Sequence, residues 1–265
     1  MTRGFLTTVA ALLAFGLILA LTGPAGASLI DGLHAYYPFE SNSAGAGGVL
    51  DISGNDRHGT GPVGGGLTTV TGKVGNALDF NGASGSEVVI DQVLESDFDF
   101  VNSDFTIQAW FKVTNFTGQW QALMAKGEGA GWRIARYSST SNLAVNMGQG
   151  DTATGNINDG AWHHLVGIHD AGSTTDIWID GDLAVSGSGT GPGDRSGVMT
   201  IGDNPESNNR NWNGLIDEVA VWNRTLTIDE VAELYNSGAG SAIPEPATMS
   251  LLALGGLALL RRRRS

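Results

Sequence analysis

The sequence predicts an all-β fold: a two-sheet antiparallel β-sandwich closed by one short C-terminal helix. Three observations lead there. Short apolar runs rich in β-branched and aromatic residues recur along the chain, with Gly, Asn, Asp or Ser between them. The 40 glycines punctuate those runs instead of forming a repeat, which is how turns are spaced. No helical period of useful length occurs before Thr227.

The elements follow in order. Leu33 to Phe39 reads as the first strand, and Glu40 to Gly66 as a long polar loop containing DISGNDRHGT, Asp51 to Thr60. Lys73 to Phe80 leads into a second strand, and Glu87 to Ile90 is a short third. Asp104 to Val113 alternates: Phe105, Ile107, Ala109, Phe111 and Val113 share one face, and Thr106, Gln108, Trp110 and Lys112 the other. Gln121 to Lys126, Trp132 to Tyr137 and Leu143 to Met147 are three more strands, followed by Ala161 to His169. Thr175 to Ile179 and Asp182 to Ser186 form a hairpin about Asp180-Gly181, and Val198 to Gly202 precedes a polar loop. Asn213 to Trp222 is the last strand. A two-residue alternation puts Asp217 with Leu215, Val219 and Val221, and Glu218 with Ile216, Ala220 and Trp222. Thr227 and Glu230 have capping-box spacing, Val231 and Leu234 make an apolar stripe, and Gly238 stops the helix.

Both ends read as addressing segments, so the expected division is 1–27, 28–243 and 244–265. Arg3, the apolar run Phe5 to Leu21 and the small-x-small triplet Ala25-Gly26-Ala27 describe a signal peptide. At the other end Pro244, Glu245 and Pro246 precede an apolar run, Ala247 to Leu260, and then Arg261, Arg262, Arg263 and Arg264. As a helix that run would span about 21 Å, short of a hydrocarbon core of roughly 30 Å. The arginines favour the cytoplasmic side and leave the preceding chain outside.

Composition narrows the function classes. Of 14 basic and 27 acidic residues, the middle segment keeps 9 basic and 26 acidic, a net charge of −17, once Arg3, Arg261–Arg264 and Glu245 are set aside. Such a domain repels phosphate backbones, so nucleic acid is not an expected partner. There is no cysteine, so an exported domain must rest on a large core or on bound metal.

Two resemblances follow from these residues. The Pro-Glu-Pro triplet, short apolar helix and terminal arginines resemble the PEP-CTERM sorting signal. That resemblance implies an exosortase-type membrane protease as partner, at least transient membrane contact through the C-terminal helix, and delivery to the cell envelope, cell surface or extracellular matrix of a Gram-negative-type bacterium. DISGNDRHGT, GNALDFNG, FTIQAWFKV, AWHHLVGIHD with IWIDG, and NGLIDEVAVWNRTLTIDEVAELYN, in that order, resemble the laminin-G-like jelly rolls of the concanavalin A-like lectin/glucanase superfamily. This implies a concanavalin A-like jelly roll with one concave and one convex sheet.

Several residues are candidates for chemistry. A lone carboxylate on an apolar strand must be hydrogen-bonded, protonated or metal-bound. The Asp51 loop is rich in oxygen donors of the kind calcium takes, and the resemblance implies a structural calcium where an early loop meets the closing strand. Asp51, Asn55 and Asp217 are therefore metal-ligand candidates; the alternative is an Asx-turn at Asp51 and backbone N–H donors to Asp217. His163 and His164 point to opposite faces, and His163 and His169 lie about 20 Å apart at strand rise, so no zinc site results. Trp110, Trp120 and Trp132, with Arg136 and Asn146, are candidates to touch a glycan or extracellular polysaccharide. Glycoside hydrolysis needs two carboxylates flanking the bond. The E-x-D-x-x-E pattern of laminarinase-type relatives does not occur. The leading expectation is a non-catalytic surface protein that binds carbohydrate or matrix components; a structural matrix or envelope spacer and a glycoside-active enzyme are the alternatives.

Overall fold

The structure, a computed structural model, describes residues 28–40, 48–61, 67–91, 94–237 and 243. The expected signal peptide and sorting segment lie outside these residues. Among the described residues no helix is long and apolar enough to cross a membrane. The chain divides into two units, Met1–Asp31 and Gly32–Ser265, and the second holds the sandwich.

Its strands are β1 (Leu33–Tyr37), β2 (Leu67–Thr71), β3 (Asn76–Asn81), β4 (Val88–Ile90), β5 (Phe105–Val113), β6 (Ala122–Ala125) and β7 (Arg133–Arg136). They continue with β8 (Asn142–Asn146), β9 (Thr152–Asn156), β10 (His163–His169), β11 (Thr175–Ile179), β12 (Asp182–Gly187), β13 (Met199–Ile201) and β14 (Asn213–Trp222). A 3-10 turn covers Glu95–Phe98, and the closing helix α1 spans Ile228–Ser237. The eight-stranded sheet runs β12-β11-β10-β5-β14-β3-β2, with β1 also paired to β14; the six-stranded sheet runs β4-β13-β6-β7-β8-β9. Every named pairing is antiparallel, so the expected two-sheet sandwich is what forms. The strands β2 and β9 and the 3-10 turn are additions. All three are short and polar, and lack the apolar alternation that marks a strand in sequence.

The core lies between the sheets. Phe105, Ile107, Ala109, Phe111 and Val113 of β5 enter it as their alternation requires, opposed by Leu123, Met124, Ile134, Leu143 and Val145 of the other sheet. Helix α1 closes the outer face of the eight-stranded sheet. Its N-terminus is a capping box in which Thr227 N donates to Glu230 Oε2 (2.8 Å) and Glu230 N donates to Thr227 Oγ1 (3.3 Å). Buried Val231 and Leu234 form its apolar stripe.

Strand β14 departs from simple alternation. Asp217 pairs with Trp110 but Ala220 pairs with Gln108, so two residues on β14 oppose one on β5. Glu218 takes φ +56° at this bulge. The extra residue reverses the phase, putting Ile216 on the core side with Val219 and Val221. Asp217 therefore lies on the outer side with Trp110 and Ala220, not on the Val219/Val221 side that alternation predicts.

Candidate functional site

The outer face of the eight-stranded sheet is a sealed polar brace. Asp217 and Glu218 are both fully buried. Asp217 Oδ2 accepts the backbone N–H groups of Lys73 (2.8 Å) and Val74 (3.0 Å). Oδ1 has no partner among the described residues. Burial, opposed by those N–H bonds and reinforced by Glu40, pushes the Asp217 carboxyl up to about 7. Tyr36 Oη donates to Glu218 Oε2 (2.7 Å), and Gln108 Nε2 donates to the Glu218 carbonyl (2.5 Å). Gln108 Oε1 meets His164 Nε2 at 2.8 Å. Burial drives His164 down to about 3, so it is neutral there. Tyr235 of α1 stacks on Trp110 with centroids 5.7 Å apart, and Lys73 Nζ sits 4.1 Å from the Trp110 ring. Trp110 is 1% exposed. The alternation places it correctly on the outer face, but the docked helix removes it from any ligand.

The metal-ligand candidates do not share a shell. Asp51 Oδ1 accepts Tyr36 N and Ser53 N (2.9 Å each), and Oδ2 accepts Ser53 Oγ (2.8 Å) and Arg57 N (2.9 Å). Those bonds fill a carboxylate's acceptor sites and make the Asx-turn alternative concrete. Asn55 turns its Nδ2 onto the Leu33 carbonyl (2.9 Å) and the His34 carbonyl (3.1 Å). Asp51 holds the main-chain end of Tyr36, whereas Asp217 acts on its phenol end. Asp51 and Asn55 pin a loop to β1 and Asp217 fastens β14 to the turn before β3. This donor set does not fit a single calcium ion.

The histidines behave as strand residues. His163 is held by Asp180 (2.8 Å) and Asp159 (3.1 Å), and its pKa rises through those bonds. His169 Nδ1 meets Thr175 Oγ1 at 2.9 Å.

The outer face of the six-stranded sheet is different. Its floor is alanine: Ala122, Ala125 and Ala135 form a small cluster of their own, and Ala144 pairs with Ala135 on the same side. Small side chains let long ones lie over the strands. Arg133 pairs across β7–β8 with Asn146. The Arg133 guanidinium lies 5.0 Å from the centre of the half-buried Trp120 ring, whose edge meets Tyr137. Asp151 accepts from Arg133 (2.6 and 3.2 Å), and Glu128 also pairs with it. Trp120 takes φ +55°. The loop holding it there is tied by Trp120 N to the Ser138 carbonyl and by the Arg136 guanidinium, which donates to the carbonyls of Gly118, Ser139 and Thr140 (2.6 Å each).

Among the aromatic and polar candidates, Arg136 and Asn146 thus belong to one sheet, and Trp120 to the loop that leads into it. Trp120 and Asn146 flank its outer face, and Arg136 braces the loop that carries Trp120. Asn146 is mostly buried, and its Oδ1 accepts Gly148 N (3.0 Å). Trp132 does not join them. It is 0% exposed, turns into the core and donates Nε1–H to the Phe98 carbonyl (2.7 Å). Arg133, the residue joining Trp120 to Asn146, is not among the residues singled out in the sequence. Pairing Trp132–Tyr137 with Leu143–Met147 as a hairpin would have placed it opposite Asn146.

A separate cleft of about 890 Å³ opens beside the loop 94–104, lined by His34, Asp97, Phe100, Asp104, Asp194 and Asn223. Glu95, Asp99 and Asp194 bring carboxylate oxygens within 4.8 Å of one another there. A buried cation already serves two of them: Lys126 Nζ contacts Asp99 Oδ1 (2.8 Å) and Glu95 Oε1 (3.3 Å) and donates to the Arg195 and Gly197 carbonyls (2.8 and 2.6 Å).

With the two faces described, comparison with known proteins decides the family. Residues 84–232 match the profile of the concanavalin A-like lectin/glucanases superfamily, laminin-G type. The chain belongs to that superfamily. Residues 242–264 match the PEP-CTERM protein-sorting motif, which marks an exported bacterial protein sorted to the cell surface and implies processing by an exosortase. No curated protein sequence matches. Similar solved structures include the binding domain of Paraclostridial Mosquitocidal Protein 1, with 21% identity, a TM-score of 0.65, and coverage of 79% of this chain and 53% of that one. The Trypanosoma rangeli sialidase gives 20% identity and a TM-score of 0.61 over 81% of this chain and 34% of the sialidase. Domain 4 of AbnA, a GH43 extracellular arabinanase from Geobacillus stearothermophilus, solved with arabinotriose, gives 22% and 0.58 over 77% of this chain and 98% of that domain. These likenesses carry the fold. The chain spans about half of the first relative and a third of the second.

Proposed function

We propose that this protein is a non-catalytic, surface-directed jelly roll that binds carbohydrate on the outer face of its six-stranded sheet. The observation that carries the reading is the half-buried Trp120 ring beside Arg133, with Asn146 and Asp151 around it. An aromatic face packs against the C–H side of a sugar ring, and rigid charged and amide groups at its rim fix hydroxyls. The sugar bound to domain 4 of AbnA supports the same ligand class. Asp151 and Glu128 are both paired with Arg133, so neither is poised as a general acid. The sorting motif supports an envelope of the Gram-negative type and an extracellular polysaccharide as the natural partner.

A glycan array probed with the full chain and with Trp120→Ala tests this. The wild type is expected to capture a subset of polysaccharides, and Trp120→Ala to lose about tenfold or more in affinity for them. An array with no captured glycan would leave the structural-spacer reading in its place. Release of reducing sugar from captured polysaccharide would replace it with the enzyme reading.

A further inference from the structure

The charges around the Trp120 face decide which carbohydrate it can take. Arg133, the cation against the Trp120 ring, is already neutralised. Asp151 accepts from its Nη2 and Nε (2.6 and 3.2 Å), and Glu128 pairs with its Nη1. An incoming carboxylate or sulfate would have to displace one of these carboxylates, exchanging one ion pair for another without gain. Arg136 is spent in a different way. Its Nε, Nη1 and Nη2 donate to the carbonyls of Thr140, Gly118 and Ser139, and its guanidinium lies 4.6 Å from the centre of the Phe116 ring. The fork that would grip an anion is turned into the loop. Arg195 pairs with Glu206. Arg210 Nη1 donates to the Gln119 carbonyl (2.8 Å), and its charge bears on Asp203.

A polysaccharide runs past Trp120 onto the neighbouring surface. On the Asn146 side, at the β8–β9 turn, lies a cleft of about 390 Å³ lined by Asn102, Asn146, Gly148, Gly150, Thr190 and Gly193 with their neighbours. None of the described residues lining it carries a charge. On the β13 side the surface is lined by Glu87, Asp203 and Glu206, which repel an anion. We infer that the Trp120 face takes an uncharged glycan, a chain of neutral hexose or pentose residues, and excludes polysaccharides bearing uronate or sulfate groups. The inference rests on the carbohydrate reading above and narrows its ligand class. The groups that remain suit a neutral sugar. The Trp120 ring packs against C–H groups. The partly exposed Asp151 carboxylate accepts two bonds from Arg133 and has positions left for hydroxyl donors. Such binding involves no ion exchange, so it persists in salt that screens charge–charge attraction.

The test is calorimetric titration of the full chain with arabinan, galactan, mannan and glucan and with the carboxymethyl derivative of each. The hydroxyethyl derivatives serve as neutral controls of similar bulk. Each titration is run in low salt and in about 0.5 M sodium chloride. The expected result is binding of at least one neutral polysaccharide, equal at both salt concentrations and kept by its hydroxyethyl form. Carboxymethylation should weaken it about tenfold or more. Asp151→Asn combined with Glu128→Gln bares the Arg133 charge and should restore carboxymethyl binding at low salt only. Circular dichroism melts check folding, and Asp151→Asn alone serves if the double variant unfolds. Preferential capture of the carboxymethyl forms, weakened by salt and lost in Trp120→Ala, would overturn the charge selection and leave carbohydrate binding on this face standing. Equal binding with and without carboxymethyl groups would overturn it too. No polysaccharide bound in any form would remove the carbohydrate reading and this inference with it.

Discussion

Replacing Asp217 by Asn isolates a fully buried carboxyl whose ionisation works against the fold. Its ordinary value of 3.8 rises to about 7 in the folded protein. The folded form therefore keeps a proton that the unfolded chain has released, and stability is lost as pH rises from about 4 to about 7. At about 1.4 kcal/mol per tenfold step, the ionised group costs on the order of 4 kcal/mol, of which roughly 3 kcal/mol falls between pH 5 and pH 9. Asparagine fits the site: its Oδ1 can accept from Lys73 N and Val74 N as Asp217 Oδ2 does. Asp217→Asn should match wild type near pH 4, lead it by about 1.5 kcal/mol near pH 5 and gain about 3 kcal/mol more on it by pH 9. That corresponds to a relative rise in melting temperature of roughly 6–12 °C. The difference between the two proteins cancels the acid-side loss expected from His164, which must take up a proton on unfolding as pH falls from 6.5 towards about 3. Urea denaturation at unit pH steps reads the effect. Parallel stability curves, or an Asn variant that is weaker at pH 9, would refute the account of the β14 bulge as a buried, proton-holding joint.

Three further predictions follow from the same packing. Tyr235→Ala should cost about 2 kcal/mol by uncovering Trp110 and His164, and a thermal melt with no shift would show that the helix seals nothing. Lys126→Met should cost about 3–5 kcal/mol, because it leaves the buried Asp99 carboxylate without its cation; denaturant titration measures it, and a neutral outcome would contradict the ion-pair role. Since Asp51 already accepts four hydrogen bonds, adding calcium to chelator-treated protein should not raise the melting temperature. A rise lost in Asp51→Asn would restore the ligand role.

The fold was legible because local signals agreed. The β5 alternation, the Asp180-Gly181 turn and the Thr227–Glu230 capping box each reach the same structure without knowledge of the others. What stayed hidden depends on single backbone conformations or distant partners. Nothing in Asp217-Glu218 announces a bulge, since the residue at positive φ is a glutamate and not a glycine. One unmarked residue therefore moved Asp217 to the other face. Trp110 was placed on the right face, but its cover is a helix more than a hundred residues away. Trp132 shares the core face with Ile134 two residues on, as strand alternation requires, so its inward direction was readable in the sequence.

The most direct test of the central claim uses the indole N–H signals of the seven tryptophans. A nuclear magnetic resonance titration with an oligosaccharide captured on the array should move the Trp120 signal progressively and leave the buried Trp110 and Trp132 signals in place. Shifts confined to Trp110, or a captured oligosaccharide that moves no indole near β6–β8, would contradict carbohydrate binding on the six-stranded face.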